Sequence, residues 1–237
     1  MNWNISRRYA RERYVEKYDA TEATAYDAYV GNLSAADEAA YLADLQRVFS
    51  FRSGMQVLDA GAGSGTLSKI LLQVDGLSIT ALEPAPAMLA LLGRKSELHA
   101  VKCVQGFCDA LADRAHFDEA RFDVIASRQL VNGLFDPLVA FDNWFHWLKP
   151  GGAVIAIDGF YGRAAWTEMF EEEVDLLPLS ACQSMATMPY LLEKVGFQIA
   201  SVSLMTETNK LPATRTTRYI VVANKPTAPV CHDTPSS

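Results

Sequence analysis

The chain predicts an α/β fold with a mostly parallel sheet covered by helices on both faces, preceded by a helical segment. Three observations carry this. From Met55 onward, short apolar runs alternate with helical patterns, and strand–helix–strand alternation implies parallel pairing. The runs Phe122–Ser127 and Ala153–Asp158 are nearly continuous in apolar residues, as strands buried on both faces are. The run Val57-Leu58-Asp59-Ala60-Gly61-Ala62-Gly63-Ser64-Gly65-Thr66 places an acid and three spaced glycines where a strand gives way to a helix. Glycine lets a ligand approach the backbone and tolerates positive φ, and the next helix offers unpaired N–H groups and its positive dipole end.

In order along the chain, residues 1 to about 50 are rich in Ala, Tyr, Glu and Arg, lack proline, and read as two or three helices. Ser34 is an N-cap, with Asp37 and Glu38 in the first turn, and Leu42, Leu45, Val48 and Phe49 follow at helical spacing. Strand one covers about 55–60 and the next helix about 65–74. Strand two, Leu77 to Leu82, ends in Glu83-Pro84, and a helix follows over about 86–95. Strand three is short, near 101–104, and strand four covers 122–127. The helix after Asp136-Pro137 starts on proline and stops at Lys149-Pro150-Gly151-Gly152, with strand five over 153–158. A polar helix near 187–195 precedes two strands, 197–205 and 218–223, whose turn-rich link predicts antiparallel pairing. The remaining residues carry prolines and no apolar period, so a disordered tail is expected. The expected division is a helical cap over 1–50, a core over 51–225 and a tail over 226–237.

Composition narrows the partners. The chain has 237 residues, half of them hydrophobic, and a net charge of −7. Such an acidic chain is a poor electrostatic match for a phosphate backbone, which disfavours nucleic acid. The one dense basic stretch, Arg7, Arg8, Arg11, Arg13 and Lys17, is interrupted by Glu12 and Glu16 and reads as a solvated helix face. The four cysteines form no C-x-x-C pair and no histidine has metal-finger spacing, so no metal is expected. Cys103 and Cys108 read as small buried residues. With no signal peptide and no membrane-crossing run, the expectation is a reduced cytoplasmic protein, monomeric or homodimeric.

Two cofactor classes compete for the glycine run. A dinucleotide site wants G-x-G-x-x-G, and counted from Gly61 the sixth position is Thr66. The observed spacing is Asp59-x-Gly61-x-Gly63-x-Gly65. Glu83 ends strand two, where a carboxylate accepts from both ribose hydroxyls in either class. Further along stand Gly106-Phe107-Cys108-Asp109-Ala110-Leu111 after strand three, and Leu148-Lys149-Pro150-Gly151-Gly152 before strand five. Leu192-Glu193-Lys194-Val195-Gly196-Phe197 then precedes the late Arg218–Lys225 strand. This ordered set, over residues 50–225, resembles the class I S-adenosylmethionine (SAM)-dependent methyltransferases.

The resemblance implies a Rossmann-like seven-stranded sheet with an antiparallel last strand, and SAM across the carboxyl ends of strands one to four. Gly61 and Gly63, with Ala62 and Gly65 in the same loop, would face the methionine part, and Asp59 would orient the loop. Glu83 would take the ribose, and Asp109 and Ala110 the adenine, with Pro84 and Met88 packed near the ring. Ser127 and Arg128 open the segment beside the sulfonium. That segment, Ser127-Arg128-Gln129-Leu130-Val131-Asn132, lacks the N/D-P-P-Y/F/W motif, which disfavours base or glutamine-amide methylation.

Methyl transfer from a sulfonium is an in-line displacement that needs alignment more than a dedicated base, so no catalytic residue is fixed. Candidates are Arg128 and the helix-face pair Tyr14 and Tyr18, with Asn132, Phe160, Tyr161 and Trp166 as candidate acceptor contacts. The function expected is methylation of a small-molecule oxygen or nitrogen, leaving S-adenosylhomocysteine (SAH). The alternatives are a protein or tRNA methyltransferase, a non-catalytic SAM-binding scaffold, and a nicotinamide enzyme.

Overall fold

The computed structural model describes residues 3–31, 33–163, 174–212 and 214–227. Trp166, with Met169, Phe170 and the Glu171-Glu172-Glu173 run, lies outside the described residues. So does the tail from 228 onward, including Cys231.

Seven strands form one sheet in the order β3-β2-β1-β4-β5-β7-β6. They are β1 Gln56–Ala60, β2 Ser78–Glu83, β3 Lys102–Gln105, β4 Phe122–Arg128, β5 Leu148–Gly159, β6 Gln198–Leu204 and β7 Arg218–Asn224. β7 runs antiparallel to both β5 and β6, and the other pairings are parallel. The strand order reverses between β1 and β4, where Ala60 pairs with both Leu82 and Ser127. That reversal opens a crevice at the carboxyl ends of the strands, the usual ligand position in an open α/β sheet.

The sheet is buried on both faces because alternate side chains serve two cores. Leu58, Ile125, Val154 and Val221 join Phe141, Trp144 and Trp147 on one side. These aromatics come from α6 Pro137–Trp147, with α7 Thr187–Val195 beside it. Val57, Val124, Ile155 and Ile220 join Leu45, Ile70 and Leu71 on the other. The covering helices there are α3 Ala35–Val48 and α4 Thr66–Leu71. α5 Pro86–Arg94 begins on proline after Glu83, as read from sequence.

The N-terminal residues form α1 Trp3–Lys17 and α2 Ala20–Tyr26, which runs into a π-turn, Asp27–Gly31. Ser34 caps α3 in a reciprocal box with Asp37.

Three details differ from the sequence reading. α4 ends at Leu71, because the Asp75-Gly76 turn must fold back to place the Gly76 carbonyl on Gly54 N–H. β5 begins at Leu148, so the Pro-Gly-Gly turn lies within the strand. A register shift opposite Phe122 and Val124 absorbs it as a bulge. Cys103 is exposed, since β3 is the edge strand, whereas Cys108 is buried as expected. No helix among the described residues is long and apolar enough to cross a membrane.

Candidate active site

The glycine loop is pinned to β2. Gly61 and Ala62 N–H groups both donate to the Leu82 carbonyl. Gly61, Gly63 and Gly65 all have positive φ, 66°, 55° and 92°. A Cβ built on Gly65 would strike Leu98 and Leu92, and one on Gly61 would strike Leu130. A Cβ on Gly63 would meet nothing within 4 Å, so the space above the loop opens there. Asp59 lies beneath. Its carboxylate accepts from the Ser68 hydroxyl at 2.7 Å, which ties β1 to α4.

Glu83 is buried, and its two oxygens accept from Gly63 N–H at 3.0 Å and Ala85 N–H at 2.9 Å. Burial raises its carboxyl to about 7 against these two hydrogen bonds, with Asp59 nearby adding to the rise. Burial likewise raises Asp59 to about 7. The two carboxyls stand toward the carboxyl ends of adjacent strands, Asp59 in β1 and Glu83 in β2.

The segment after β3 packs against α1. Asp109 Oδ2 accepts from Phe135 N–H at 2.7 Å, and its buried Oδ1 has no hydrogen-bond partner. Ala110 N–H, which the family resemblance directs to the adenine ring, donates instead to Asp113 at 2.8 Å. Arg11 Nη2 donates to both Asp113 oxygens, at 2.9 and 2.8 Å, its Nε lies 3.8 Å from Asp109 Oδ1, and the guanidinium lies over the Phe107 ring at 4.1 Å. A cavity of about 850 Å³ opens between α1 and this segment, lined by Arg11, Val15, Phe107, Asp109 and Ala110 among others.

Tyr14, Tyr18 and Tyr26 cluster over Ala85 and Met88, with ring centroids 4.9 and 5.6 Å apart in sequence. Pro84 is half-buried beside them. Burial raises all three phenols, so near neutral pH they are hydroxyl donors rather than phenolate bases. Asp27, in the π-turn after α2, is tied to the glycine loop: it accepts from the Ser64 hydroxyl and from Lys95 Nζ. Lys95 also donates to the Ser64 carbonyl at 2.8 Å.

At the end of β4, Ser127 Oγ, Arg128 Nε and Gln129 Oε1 are buried without hydrogen-bond partners. Among the described residues Gln129 is one of two non-glycine residues with positive φ, at 57°, a strained conformation of the kind found at functional sites. Its Nε2 donates to the Tyr161 hydroxyl at 2.7 Å. Arg218, at the start of β7, donates to the same hydroxyl. Asn132 N–H donates to Asp158 Oδ2 at 2.9 Å, and Phe160 stacks on Tyr219 with centroids 5.2 Å apart. Burial raises Asp158 to about 6, although Gly159 and Asn132 N–H groups hold its charged form. Asn132 and Asp158 line a cavity of only about 10 Å³, at the threshold for one water. Among the described residues no group of three or more His, Cys, Asp or Glu side chains is placed to hold a metal ion.

The structure thus brings Gly61, Gly63, Glu83, Ser127 and Arg128 to one crevice, with Tyr14 and Tyr18 on its β2 side and Tyr161 on its β5 side. Tyr41 and Arg218 join it unforeseen. Arg218 had a signal: the first residue of a strand antiparallel to β5 lies beside the carboxyl end of β5. Tyr41 had none, since an aromatic at helical spacing reads equally as core.

Residues 58–156 match a family model described as a methyltransferase domain. The ubiquinone biosynthesis O-methyltransferase of Xylella fastidiosa is 36% identical over 103 residues, 42% of this chain and 40% of that protein. The chain therefore spans less than half the length of the curated relatives it matches. Among solved structures, phosphoethanolamine N-methyltransferase 2 of Haemonchus contortus, in complex with SAM, superposes with a TM-score of 0.64. It is 19% identical and covers 89% of this chain and 58% of that one. A SAM-dependent methyltransferase from Aquifex aeolicus superposes at 0.63 with 17% identity, covering 88% of this chain and 100% of its own. Both likenesses concern the fold.

Proposed function

We propose that this chain, whose residues 58–156 match a methyltransferase-domain model, is a class I methyltransferase that transfers a methyl group from SAM to an oxygen or nitrogen of a small molecule. The observation that carries this reading is the glycine loop at the reversal of strand order, where the Glu83 carboxylate accepts from Gly63 N–H and a Cβ on Gly63 would meet nothing within 4 Å. A crevice floored by bare backbone beside a buried carboxylate fits a polar, cationic cofactor.

When bound, SAM supplies the electrophilic methyl. The chain's own residues bind, orient and exclude water. Glu83 receives the ribose hydroxyls, and its ionised form is favoured when those hydroxyls donate to it. Asp109 Oδ1, which has no hydrogen bond and lies 3.8 Å from Arg11 Nε, would accept from an amino group at the adenine end. Gly61 and Gly63 admit the methionine part against the backbone. The helices of residues 1–50 act as a cap: the Asp27–Ser64–Lys95 latch holds the π-turn on the glycine loop and keeps water from the reacting centre. Arg128 and Tyr161 face the acceptor.

The names of the relatives, a quinone-pathway O-methyltransferase and a phosphoethanolamine N-methyltransferase, support a small-molecule acceptor. The free thiols of Cys103, Cys108 and Cys182 suit a reducing compartment, and the cytoplasm is the proposed location. The test is incubation with methyl-labelled SAM and a fractionated small-molecule extract. Label appearing in an extractable compound, with equal SAH, supports the reading. Label only in protein or tRNA added in parallel overturns it.

A further inference from the structure

The crevice has two ends of different character. Its β2 end is acidic and aromatic, with Glu83, Asp59 and the tyrosine cluster. Its β4–β7 end is cationic. Arg128 leaves the end of β4 and lies over the Tyr41 ring, 5.1 Å from its centroid. Arg218 enters from β7, opposite Gly159, and lies over the Tyr161 ring at 5.3 Å. Gly159 has no side chain because Arg218 occupies its place: a Cβ there would stand 2.6 Å from Arg218 Nη1.

The two arginines are linked through one hydroxyl: Gln129, the neighbour of Arg128, and Arg218 both donate to Tyr161. Among the described residues neither arginine has a carboxylate within ion-pair distance. The acids in their field are Asp59 near Arg128, whose Oδ2 accepts from Ser68, and Asp158 near Arg218, which accepts from the N–H groups of Asn132 and Gly159; neither pairs with an arginine. Arg128 Nε and Arg218 Nε are buried with no acceptor. Two half-buried guanidinium groups with unpaired donors and no ion-paired carboxylate leave room for a ligand anion.

The position of this pair separates it from the glycine loop. β7 lies three strand spacings from β1, about 14 Å. Arg218 is therefore on the acceptor side of β4. Two cations beside a sulfonium repel it, and an anion held between them removes that repulsion. We propose that Arg128 and Arg218, with Gln129 and Tyr161 between them, clamp an anionic group of the acceptor, so that the acceptor is a small molecule bearing a carboxylate or a phosphate. Guanidinium forks suit either group. The inference rests on the methyltransferase reading for the word acceptor, and on the arginine geometry alone for the anion.

The experiment is calorimetric titration with benzoate, phenyl phosphate, benzyl alcohol and benzylamine, with and without saturating SAH. It is run on the natural sequence, Arg218→Met and Gly159→Ala. The last keeps both arginines and crowds Arg218, with Thr216 and Tyr161 beside it, and it covers the case in which Arg218→Met fails to fold. The expected result is binding of one or both anions, tighter with benzoate for a carboxylate site and with phenyl phosphate for a phosphate site. Affinity falls about 10- to 100-fold in Arg218→Met and falls in Gly159→Ala, with SAH affinity unchanged. Equal binding of the alcohol or amine, no anion binding, or anion affinity untouched by both variants overturns the proposal. So does loss of SAH affinity in Arg218→Met, which would give the arginine to the cofactor's own carboxylate. Anion binding without any SAH binding upholds the clamp and refutes the methyltransferase reading instead.

Discussion

Replacing Gly63 with alanine adds one methyl group to the empty space over the glycine loop. In the ligand-free protein that methyl meets nothing within 4 Å, so the cost is that of an L-residue at φ 55°, about 1–2 kcal/mol. For a chain of this size that lowers the melting temperature by about 2–8 °C. The same change at Gly65 carries the same backbone strain and, in addition, drives a Cβ to 2.5 Å from Leu98 and 2.9 Å from Leu92. Overpacking of that kind adds about 1–3 kcal/mol, for a total fall of about 4–20 °C. With ligand the order reverses. SAH at about 100 times its Kd stabilises the natural sequence by about 2.7 kcal/mol, or about 5–11 °C. Gly63→Ala should lose that gain although it folds well, whereas any folded Gly65→Ala should keep part of it. The assay is thermal melting of the three proteins with and without SAH. A full SAH shift in Gly63→Ala would refute the assignment of the space above Gly63 to the cofactor.

Three further outcomes are expected. Glu83 and Asp59 are raised to about 7 in the folded chain, above their ordinary values of 4.5 and 3.8. Between those limits the folded state binds more protons than the unfolded, so stability falls as pH rises toward 7. Melting of the ligand-free protein should therefore drop from about pH 5 to about pH 8, and Glu83→Gln should flatten the slope and melt higher at the upper end; an unchanged slope would remove Glu83 as its source. SAH affinity should rise through neutrality, because the ionised carboxylate is the better acceptor, and Glu83→Gln should abolish that dependence in a calorimetric pH series. Asp44, fully buried in α3, accepts from Glu207 and Thr208 N–H groups at 3.1 and 2.8 Å and so fastens α3 to the β6–β7 connection. Asp44→Ala should cost about 3 kcal/mol, about 6–12 °C, with SAH affinity kept.

Much of this architecture was legible because it rests on local chemistry. Ser34 with Asp37, Pro137 after Asp136, and the apolar runs of β1, β4 and β5 each specify an element without reference to the rest of the chain. The glycine loop and Glu83 were legible for the same reason, since spaced glycines after a strand have few other uses. What escaped depends on contacts distant in sequence. Asp27 meets Ser64 and Lys95 across 37 and 68 positions, and no local pattern announces that latch. Ala110 N–H is spent on Asp113 because Arg11, about a hundred residues away, holds the Asp113 carboxylate in place. Arg218 is the instructive case. Its strand was read correctly, but its role follows only once β7 is set antiparallel beside β5, which turns the first residue of a strand into a neighbour of the crevice. The exposure of Cys103 follows likewise from the place of β3 at the sheet edge, a property of strand order rather than of composition.

The most direct test of the central claim is calorimetric titration of the purified chain with SAM, SAH and NAD in parallel. Binding of SAM and SAH with no heat from NAD is the predicted result. Binding of NAD alone, or of none of the three, would contradict it.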